Sequence, residues 1–168
     1  MKIFFIGFMG TGKTHSGRLL SEKLGIPFFD LDEEIVSHDG KSINEIFATE
    51  GEEYFRLLEK DVLHIITEYN ESFVMACGGG TPCYYNNIDY MNKEGLSIWL
   101  NTTFETLYKR LLKEKDKRPL IRDLTSDQLK GYIAKKFSDR KIFYEQASII
   151  IDEESAELDK IVDKIFHA

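Results

Sequence analysis

Short apolar runs alternate along the chain with longer segments in which apolar residues recur at helical spacing. The apolar runs lie at residues 2–6, 27–32, 72–77, 96–100 and 147–151. They are apolar at nearly every position, which is typical of strands in a parallel sheet covered on both faces. The pattern therefore predicts five buried strands.

Segments with helical periodicity fill the gaps between these runs. They are residues 17–24, 33–38, 42–47, 51–69, 85–93, 103–113, 126–145 and 155–166. Ser42 with Glu45 forms an S-x-x-E capping box, and Ser126 is the expected N-cap of the long seventh helix. Strands that alternate with helices build βαβ units. The expected fold is α/β, with three layers: a five-stranded parallel sheet flanked by helices.

The first strand runs into a glycine loop with the pattern G-x-x-x-x-G-K-[ST], from Gly7 to Thr14. Strand, loop and helix in this order form the context in which the pattern binds a nucleoside triphosphate. Loop N–H groups and the helix N-terminus would cradle the phosphates, and Lys13 would reach the β- and γ-phosphates. The Thr14 hydroxyl would bind Mg²⁺. The alternative is a plain glycine turn, which does not require all four fixed positions.

Two carboxylates, Asp30 and Asp32, end the second predicted strand. Residues two apart in a strand point to the same side. One carboxylate would hold Mg²⁺ through water, and the other would accept a hydrogen bond or a proton from an attacking hydroxyl. The alternative is a helix N-cap, because Asp before Glu33 and Glu34 is favoured at a helix start. Both can hold, one for each residue.

Two further features indicate a ligand-binding site, and the first of them favours an acidic ligand. Arg56 and Glu59 lie three apart on a predicted helix, and the apolar neighbours of Arg56 favour a partly buried guanidinium over a surface ion pair. Such an arginine is a bidentate receptor for a carboxylate. Glycines 78–80 follow a buried strand and indicate close backbone approach by a ligand, with a mobile hinge as the alternative.

A charged segment, Lys113 to Arg118, precedes Pro119. Charge runs are usually solvated, but Pro119 biases Arg118 toward an extended conformation. An arginine on a mobile segment beside an ATP site predicts a lid at about residues 112–122. Its closure would exclude water and bring positive charge to the transferring phosphoryl group.

Composition narrows the class of protein. The chain has 168 residues, a length that suits one domain. Its net charge of −7 without a long basic block argues against a nucleic-acid partner, so anionic substrates must be held by a few local cations. The apolar start runs directly into the phosphate loop, which argues against a secretory signal peptide. No apolar run is long enough to span a membrane. Two cysteines are too few for a disulfide framework. We expect a cytoplasmic protein without a membrane partner, and a monomer, since no large exposed apolar surface is readable.

With these residues assembled, the chain resembles the shikimate kinase family, within the nucleoside-monophosphate-kinase-like P-loop kinases. The matching segments span nearly the whole chain: residues 7–14, 30–32, 55–59, 78–80, 118–120, and Arg140 ahead of Tyr144. The resemblance implies strand order 2-3-1-4-5. It also implies Mg²⁺-dependent phosphorylation of the 3-hydroxyl of shikimate by ATP, in the pathway to chorismate and the aromatic amino acids.

The resemblance also implies roles for single residues. The acceptor would bind mainly to a subregion at about residues 31–60. Arg56 of this subregion, together with Arg140 outside it, would hold the shikimate carboxylate. Asp32 would hydrogen-bond the ring hydroxyls and act as base, and Glu59 would fix Arg56. The remaining acceptor-side residues, which would line the shikimate pocket, are Gly78, Gly79 and Gly80.

On the nucleotide side the resemblance implies that Arg110 packs on adenine and that Arg118 is the lid arginine. Thr14 would serve Mg²⁺ directly and Asp30 through water. The remaining ATP-binding residues would be Gly10, Thr11, Gly12, Lys13 and His15.

Two features depart from the family pattern. His15 stands where a small or β-branched residue is usual, and residues 152–154, Asp-Glu-Glu, offer no arginine to adenine.

Two other functions compete with this interpretation. The first is a related kinase, such as a gluconate kinase or an adenylate-kinase-like enzyme; an arginine pair with Asp32 favours a carboxylated polyol over a nucleotide. The second is a nucleotide-binding regulatory protein without catalysis, which the joint presence of Lys13, Thr14, Asp32 and Arg118 disfavours.

Overall fold

A computed structural model of the chain describes residues 1–153 and 156–167. The strands are β1 (Lys2–Ile6), β2 (Phe28–Asp30), β3 (Phe73–Ala76), β4 (Leu96–Asn101) and β5 (Ile149–Asp152). The helices are α1 (Lys13–Leu24), α2 (Leu31–Asp39), α3 (Ile43–Thr49), α4 (Glu52–Tyr69), α5 (Asn87–Glu94), α6 (Phe104–Glu114), α7 (Ser126–Tyr144) and α8 (Leu158–Phe166). Short 3-10 turns lie at Thr81–Cys83 and Lys115–Lys117.

The five strands form one sheet in the order β2-β3-β1-β4-β5, and every adjacent pair is parallel. Strand β1 is central, with Phe5 in register with Ala76 of β3 and with Ile98 of β4. Five parallel strands in the implied order are therefore confirmed. The carboxyl ends of these strands meet at one edge, where ligands bind in open α/β sheets.

Both faces of the sheet are covered, because successive residues of β1 point to opposite sides. Phe4 and Ile6 pack in a core with residues of α2, α3, α4 and α5, whereas Ile3 and Phe5 pack in a second core with residues of α1 and α8. A third cluster joins Phe8 of the glycine loop to α6 and α7. The three-layer α/β prediction is confirmed.

Several predicted element boundaries were wrong. Helix α1 begins at Lys13, four residues before the predicted start at Gly17. Helix α5 begins at Asn87 and not at the predicted Tyr85, because Tyr85 and Asn86 have positive φ angles of 49° and 56°. Helix α7 is capped by Thr125 rather than Ser126: the Thr125 hydroxyl accepts the N–H of Gln128, whose side chain accepts the N–H of Thr125.

The last predicted helix is present from Leu158, while Glu154 and the predicted start at Ser155 lie outside the described residues. None of the helices within the described residues is long and apolar enough to cross a membrane.

Candidate active site

The glycine loop connects β1 to α1 and closes around the side chain of Lys13. Gly10 and Gly12 have φ angles of 84° and 89°, a conformation that side chains other than glycine rarely adopt. Lys13 Nζ donates to the carbonyls of Gly7 at 2.7 Å and Phe8 at 2.8 Å. Burial lowers the pKa of Lys13 to about 8, against the opposing pull of Cys77 and Asp32. The loop thus holds one ammonium group at the base of α1.

Asp30 and Asp32 do not both lie in a strand, so that prediction was wrong. Strand β2 ends at Asp30, and α2 begins at the next residue. Asp30 Oδ1 accepts the N–H groups of Asp32 at 3.0 Å and Glu33 at 3.3 Å, which makes Asp30 the N-cap of α2. Its Oδ2 accepts the Thr14 hydroxyl at 3.1 Å. The cap hydrogen bonds start the helix one residue after Asp30, and Asp32 therefore lies in its first turn.

Asp32 nevertheless faces the cleft beside the glycine loop, and its electrostatic setting suits proton transfer. Burial raises the pKa of Asp32 to about 6, and the negative charges of Glu59 and Asp30 add to the increase, while Lys13 and Arg56 oppose it. Because the side chain is open to the cleft, solvent there moderates this shift. A carboxylate with a pKa near neutrality can accept a proton from a hydroxyl.

Arg56 and Glu59 lie on one face of α4 and form a buried ion pair. Arg56 Nη1 donates to Glu59 Oε1 at 3.0 Å, and the Glu59 side chain is only 1% exposed. The Arg56 guanidinium also lies 4.3 Å from the centre of the Tyr84 ring, and the Tyr84 hydroxyl donates to Glu52. An arginine held on several sides has a fixed orientation, as bidentate recognition of a carboxylate requires.

Glycines 78–80 make room for the side chains around them. A Cβ on Gly80 would lie 2.6 Å from Arg56 Nη2, and one on Gly79 would lie 2.8 Å from Arg140 Nη1. The sequence predicts close approach by a ligand. The structure supplies a different reason for two of the three glycines, namely close approach by two guanidinium groups, and approach by a ligand stays a prediction.

Arg140 reaches glycines 78–80 from α7. No local feature of its own helix indicated this placement. Tyr144, one turn further along α7, donates its hydroxyl to the carbonyl of Gly79 at 2.6 Å. The Arg140 guanidinium lies 5.7 Å from the centre of the Phe8 ring. Helix α7 thus anchors glycines 78–80 and presents an arginine beside them.

The predicted lid segment is partly helical. Residues 112–114 complete α6, and Ile121 is fully buried in the cluster around Phe8. Arg118 donates to Glu114 Oε2 from Nε at 3.0 Å and from Nη2 at 2.8 Å. Arg110 donates to the carbonyl of Gly10 at 2.9 Å.

A cleft of about 650 Å³ lies at the carboxyl edge of the sheet. Predicted residues that line it are Gly10, Thr11, Gly12, Lys13, Thr14, His15, Asp30, Asp32, Gly78, Gly79, Arg110 and Arg118. Glycines 78–80 are called the glycine wall below. Predicted residues outside the lining of the cleft are Arg56, Glu59, Gly80 and Arg140, which lie on or against this wall. Its size suits a small-molecule site.

No site role was predicted from the sequence for Glu114, Tyr84 or Thr81. Glu114 lines the cleft, and its spacing of four from Arg118 was a usable signal. Tyr84 and Thr81 contact Arg56 and Glu59, and no pattern in the sequence singles them out.

Thr14 and Asp30 offer a hydroxyl and a carboxylate 3.1 Å apart at the mouth of the phosphate loop. Mg²⁺ prefers oxygen ligands and takes only one or two from the protein when phosphates and water supply the rest. This donor set fits a Mg²⁺ ion bound together with a nucleotide.

Comparison with known proteins extends over nearly the whole chain. The family model for shikimate kinase matches residues 9–168. A shikimate kinase of Azobacteroides pseudotrichonymphae is 40% identical over 164 residues, 98% of this chain and 96% of that protein. The crystal structure of shikimate kinase from Bacteroides thetaiotaomicron is 32% identical with a TM-score of 0.89, covering 100% of this chain and 99% of that one.

A third similar protein is shikimate kinase from Acinetobacter baumannii, solved in complex with shikimate. It is 33% identical with a TM-score of 0.83, covering 98% of this chain and 92% of that one. Because the family model and full-length relatives agree with the geometry of the cleft, this chain belongs to the shikimate kinase family.

Proposed function

We propose that this protein transfers the γ-phosphoryl group of ATP to the 3-hydroxyl of shikimate, giving shikimate 3-phosphate and ADP on the route to chorismate. The observation that carries the proposal is the placement of Lys13 and Asp32 on one cleft whose glycine wall is backed by Arg56 and Arg140. The relative from Acinetobacter baumannii, which binds shikimate, supports the choice of acceptor. The whole chain acts as one P-loop kinase domain, with an acceptor-binding region at about residues 31–60 and a lid at about 112–122.

The acceptor is held through its carboxylate. Arg56 and Arg140 supply the guanidinium groups, and Glu59 keeps Arg56 in place through the 3.0 Å ion pair. The backbone of glycines 78–80 forms the wall of the acceptor pocket. A carboxylate that bridges two guanidinium groups gains charge-assisted hydrogen bonds, which are about twice as strong as neutral ones.

The nucleotide is held at the other end of the cleft. The N–H groups of residues 10–12 and Lys13 receive the phosphates, as in other G-x-x-x-x-G-K-[ST] loops. His15, which lines the cleft beside the loop, contributes to ATP binding, and Arg110 packs on adenine. Thr14, with Asp30 through water, holds Mg²⁺. When bound, Mg²⁺ offsets negative charge on the phosphate oxygens.

Transfer rests on position and charge. Asp32 accepts the proton of the acceptor hydroxyl, and a carboxyl pKa of about 6 leaves it ionised at neutral pH. During transfer, negative charge is spread over the oxygens of the phosphoryl group. Lys13 and Arg118 stabilise it by placing positive charge beside these oxygens. Closure of the lid excludes water and so protects that group from hydrolysis.

We also propose that the protein works as a monomer in the cytoplasm, a reducing compartment that suits two free thiols at Cys77 and Cys83. Light scattering coupled to size-exclusion chromatography measures the mass in solution, and the mass of a dimer would contradict the proposed monomer.

The decisive experiment measures ADP release with shikimate, gluconate or a nucleoside monophosphate as acceptor. We expect release that depends on shikimate. Release with gluconate or the nucleotide, and none with shikimate, would overturn the proposal in favour of the related kinase.

The variant Arg56→Ala tests the acceptor side. We expect the affinity for shikimate to fall by about 2 kcal/mol, roughly 30-fold, through loss of a charged hydrogen-bonded pair, with unchanged ATP affinity. Arg18→Ala removes an exposed arginine from α1 and is the control. Equal losses of both affinities in Arg56→Ala would refute its role as carboxylate receptor.

A further inference from the structure

A buried hydrogen-bond chain runs from Arg56 through Glu59 to Thr81, beside the cleft-lining Gly78. Arg56 Nη1 donates to Glu59 Oε1, and the other oxygen of the same carboxylate, Oε2, accepts the Thr81 hydroxyl at 2.8 Å. Both Thr81 and Glu59 are buried, with exposures of 0% and 1%. The carboxylate that fixes Arg56 is therefore itself fixed by a hydroxyl group.

Thr81 is in turn held in place from two sides. Its backbone N–H donates to the carbonyl of Gly78 at 3.2 Å, which ties it to the glycine wall. Its carbonyl accepts Nδ2 of Asn87, a fully buried residue at the start of α5, at 2.9 Å. The hydroxyl of Thr81 thus occupies a set position relative to both the cleft wall and α4.

We propose that Thr81 is a positioning residue for the acceptor: its hydroxyl holds Glu59 in the orientation that aligns the Arg56 guanidinium with the substrate carboxylate. The assignment rests on the proposed function. A buried carboxylate oxygen without a donor carries a large desolvation cost, so Glu59 rotates or binds a proton when the hydroxyl is removed. Either response frees Arg56 from its fixed orientation.

The glycine wall shows why that orientation matters. A Cβ on Gly78 would lie 3.2 Å from Thr81 Oγ1, 3.4 Å from Glu59 Oε2 and 3.5 Å from Asp32 Oδ1. The hydroxyl, the fixing carboxylate and the catalytic carboxylate therefore surround one glycine. Rotation of Glu59 therefore changes the geometry beside the catalytic carboxylate, on the acceptor side.

The test compares Thr81→Val, which keeps the shape of the side chain and removes the donor, with Thr81→Ser, which keeps the donor. We expect KM for shikimate to rise about tenfold in Thr81→Val and to stay close to the original value in Thr81→Ser. KM for ATP should be unchanged in both. Should Thr81→Val fail to fold, Thr81→Ala removes the same donor with less bulk, and the same increase is expected.

Thr67→Val is the matched control. Thr67 is also fully buried, and its hydroxyl donates to the carbonyl of Leu63 at 2.7 Å within α4, two helical turns beyond Glu59. We expect Thr67→Val to lower the melting temperature without changing either KM. A purely structural role for Thr81 predicts the same outcome for Thr81→Val, which would overturn the assignment.

The two proposals fail in different ways. An unmodified protein without shikimate-dependent ADP release overturns the proposed function and the assignment of Thr81 with it. An active protein in which neither Thr81→Val nor Thr81→Ala raises KM for shikimate overturns only the assignment. An increase that Thr81→Ser shares in full would also overturn it, because the donor would then be irrelevant.

Discussion

The substitution Gly80→Ala should change the orientation of Arg56 while leaving the other side chains of the site in place. Gly80 has φ −95° and ψ −7°, angles that alanine adopts without strain. The added Cβ would, however, lie 2.6 Å from Arg56 Nη2, 2.8 Å from Nη1 and 2.9 Å from Cζ. The backbone tolerates the new methyl group, and the guanidinium does not.

The size of the effect follows from these distances. Heavy atoms in comfortable contact lie about 3.5 Å apart, so the guanidinium must move by roughly 0.9 Å. The bond between Arg56 Nη1 and Glu59 Oε1 is now 3.0 Å long, and a shift of this size along it would take it beyond hydrogen-bonding range. A hydrogen bond to a charged group contributes about 1.5–3 kcal/mol, which corresponds to a 10- to 150-fold weaker interaction. We expect KM for shikimate to rise at least about tenfold.

Coupled measurement of ADP release gives KM for each substrate, and thermal unfolding gives the stability of the same preparations. Gly131→Ala is the matched control, because Gly131 lies within α7 and a Cβ there meets no atom within 4 Å. It should stabilise the protein by about 0.5–1 kcal/mol, since alanine is the better helix former, and leave both KM values unchanged.

The reasoning would be refuted by a Gly80→Ala enzyme that keeps its KM for shikimate. It would also be refuted by equal increases in KM for ATP and shikimate, because the steric conflict involves only the acceptor side.

Three further predictions concern other parts of the site. The value of kcat/KM for shikimate should fall as the pH drops below about 6 and Asp32 binds a proton; kcat/KM for ATP should fall above about pH 8, where Lys13 loses its charge. A pH profile checks both limbs, and an unchanged rate across pH 6 would contradict the assignment of Asp32 as base. Glu114→Gln removes a surface partner worth under about 1 kcal/mol and frees Arg118, so KM for ATP should fall by less than about fivefold; an increase would show that Glu114 assists the nucleotide. Tyr144→Phe removes the hydrogen bond to the glycine wall and should lower the free energy of unfolding by about 1 kcal/mol in urea titrations, and unchanged stability would show that this bond contributes nothing.

The parts that sequence predicted well depend on local pattern. The glycine loop ending in Lys13 and Thr14 is defined by spacing within one stretch, and the five strands are apolar on both faces. Covered parallel strands leave few other arrangements, so the sheet and the edge that carries the cleft followed from the order of elements.

The parts that sequence predicted poorly depend on contacts between distant residues or on a single hydrogen bond. Arg140 becomes special only because α7 packs where Gly79 leaves room for a guanidinium. Asp32 was placed in the wrong element because one side chain, Asp30, ends the strand by capping the helix. No role was predicted for Thr81, because burial against Glu59 leaves no trace in the sequence pattern.

The ion pairs Arg56–Glu59 and Arg118–Glu114 differ in burial, and this difference suits them to different tasks. Glu59 is 1% exposed and its second oxygen is held by Thr81, so Arg56 cannot leave it without stranding a buried charge. Glu114 is 47% exposed and Arg118 is 37% exposed, so water can replace either partner when the pair separates. Under the proposed function, the fixed arginine would orient the acceptor, whereas the exchangeable one could move from its carboxylate to a phosphate. We therefore expect the acceptor site to be built before either substrate binds, and the lid segment to respond to the nucleotide.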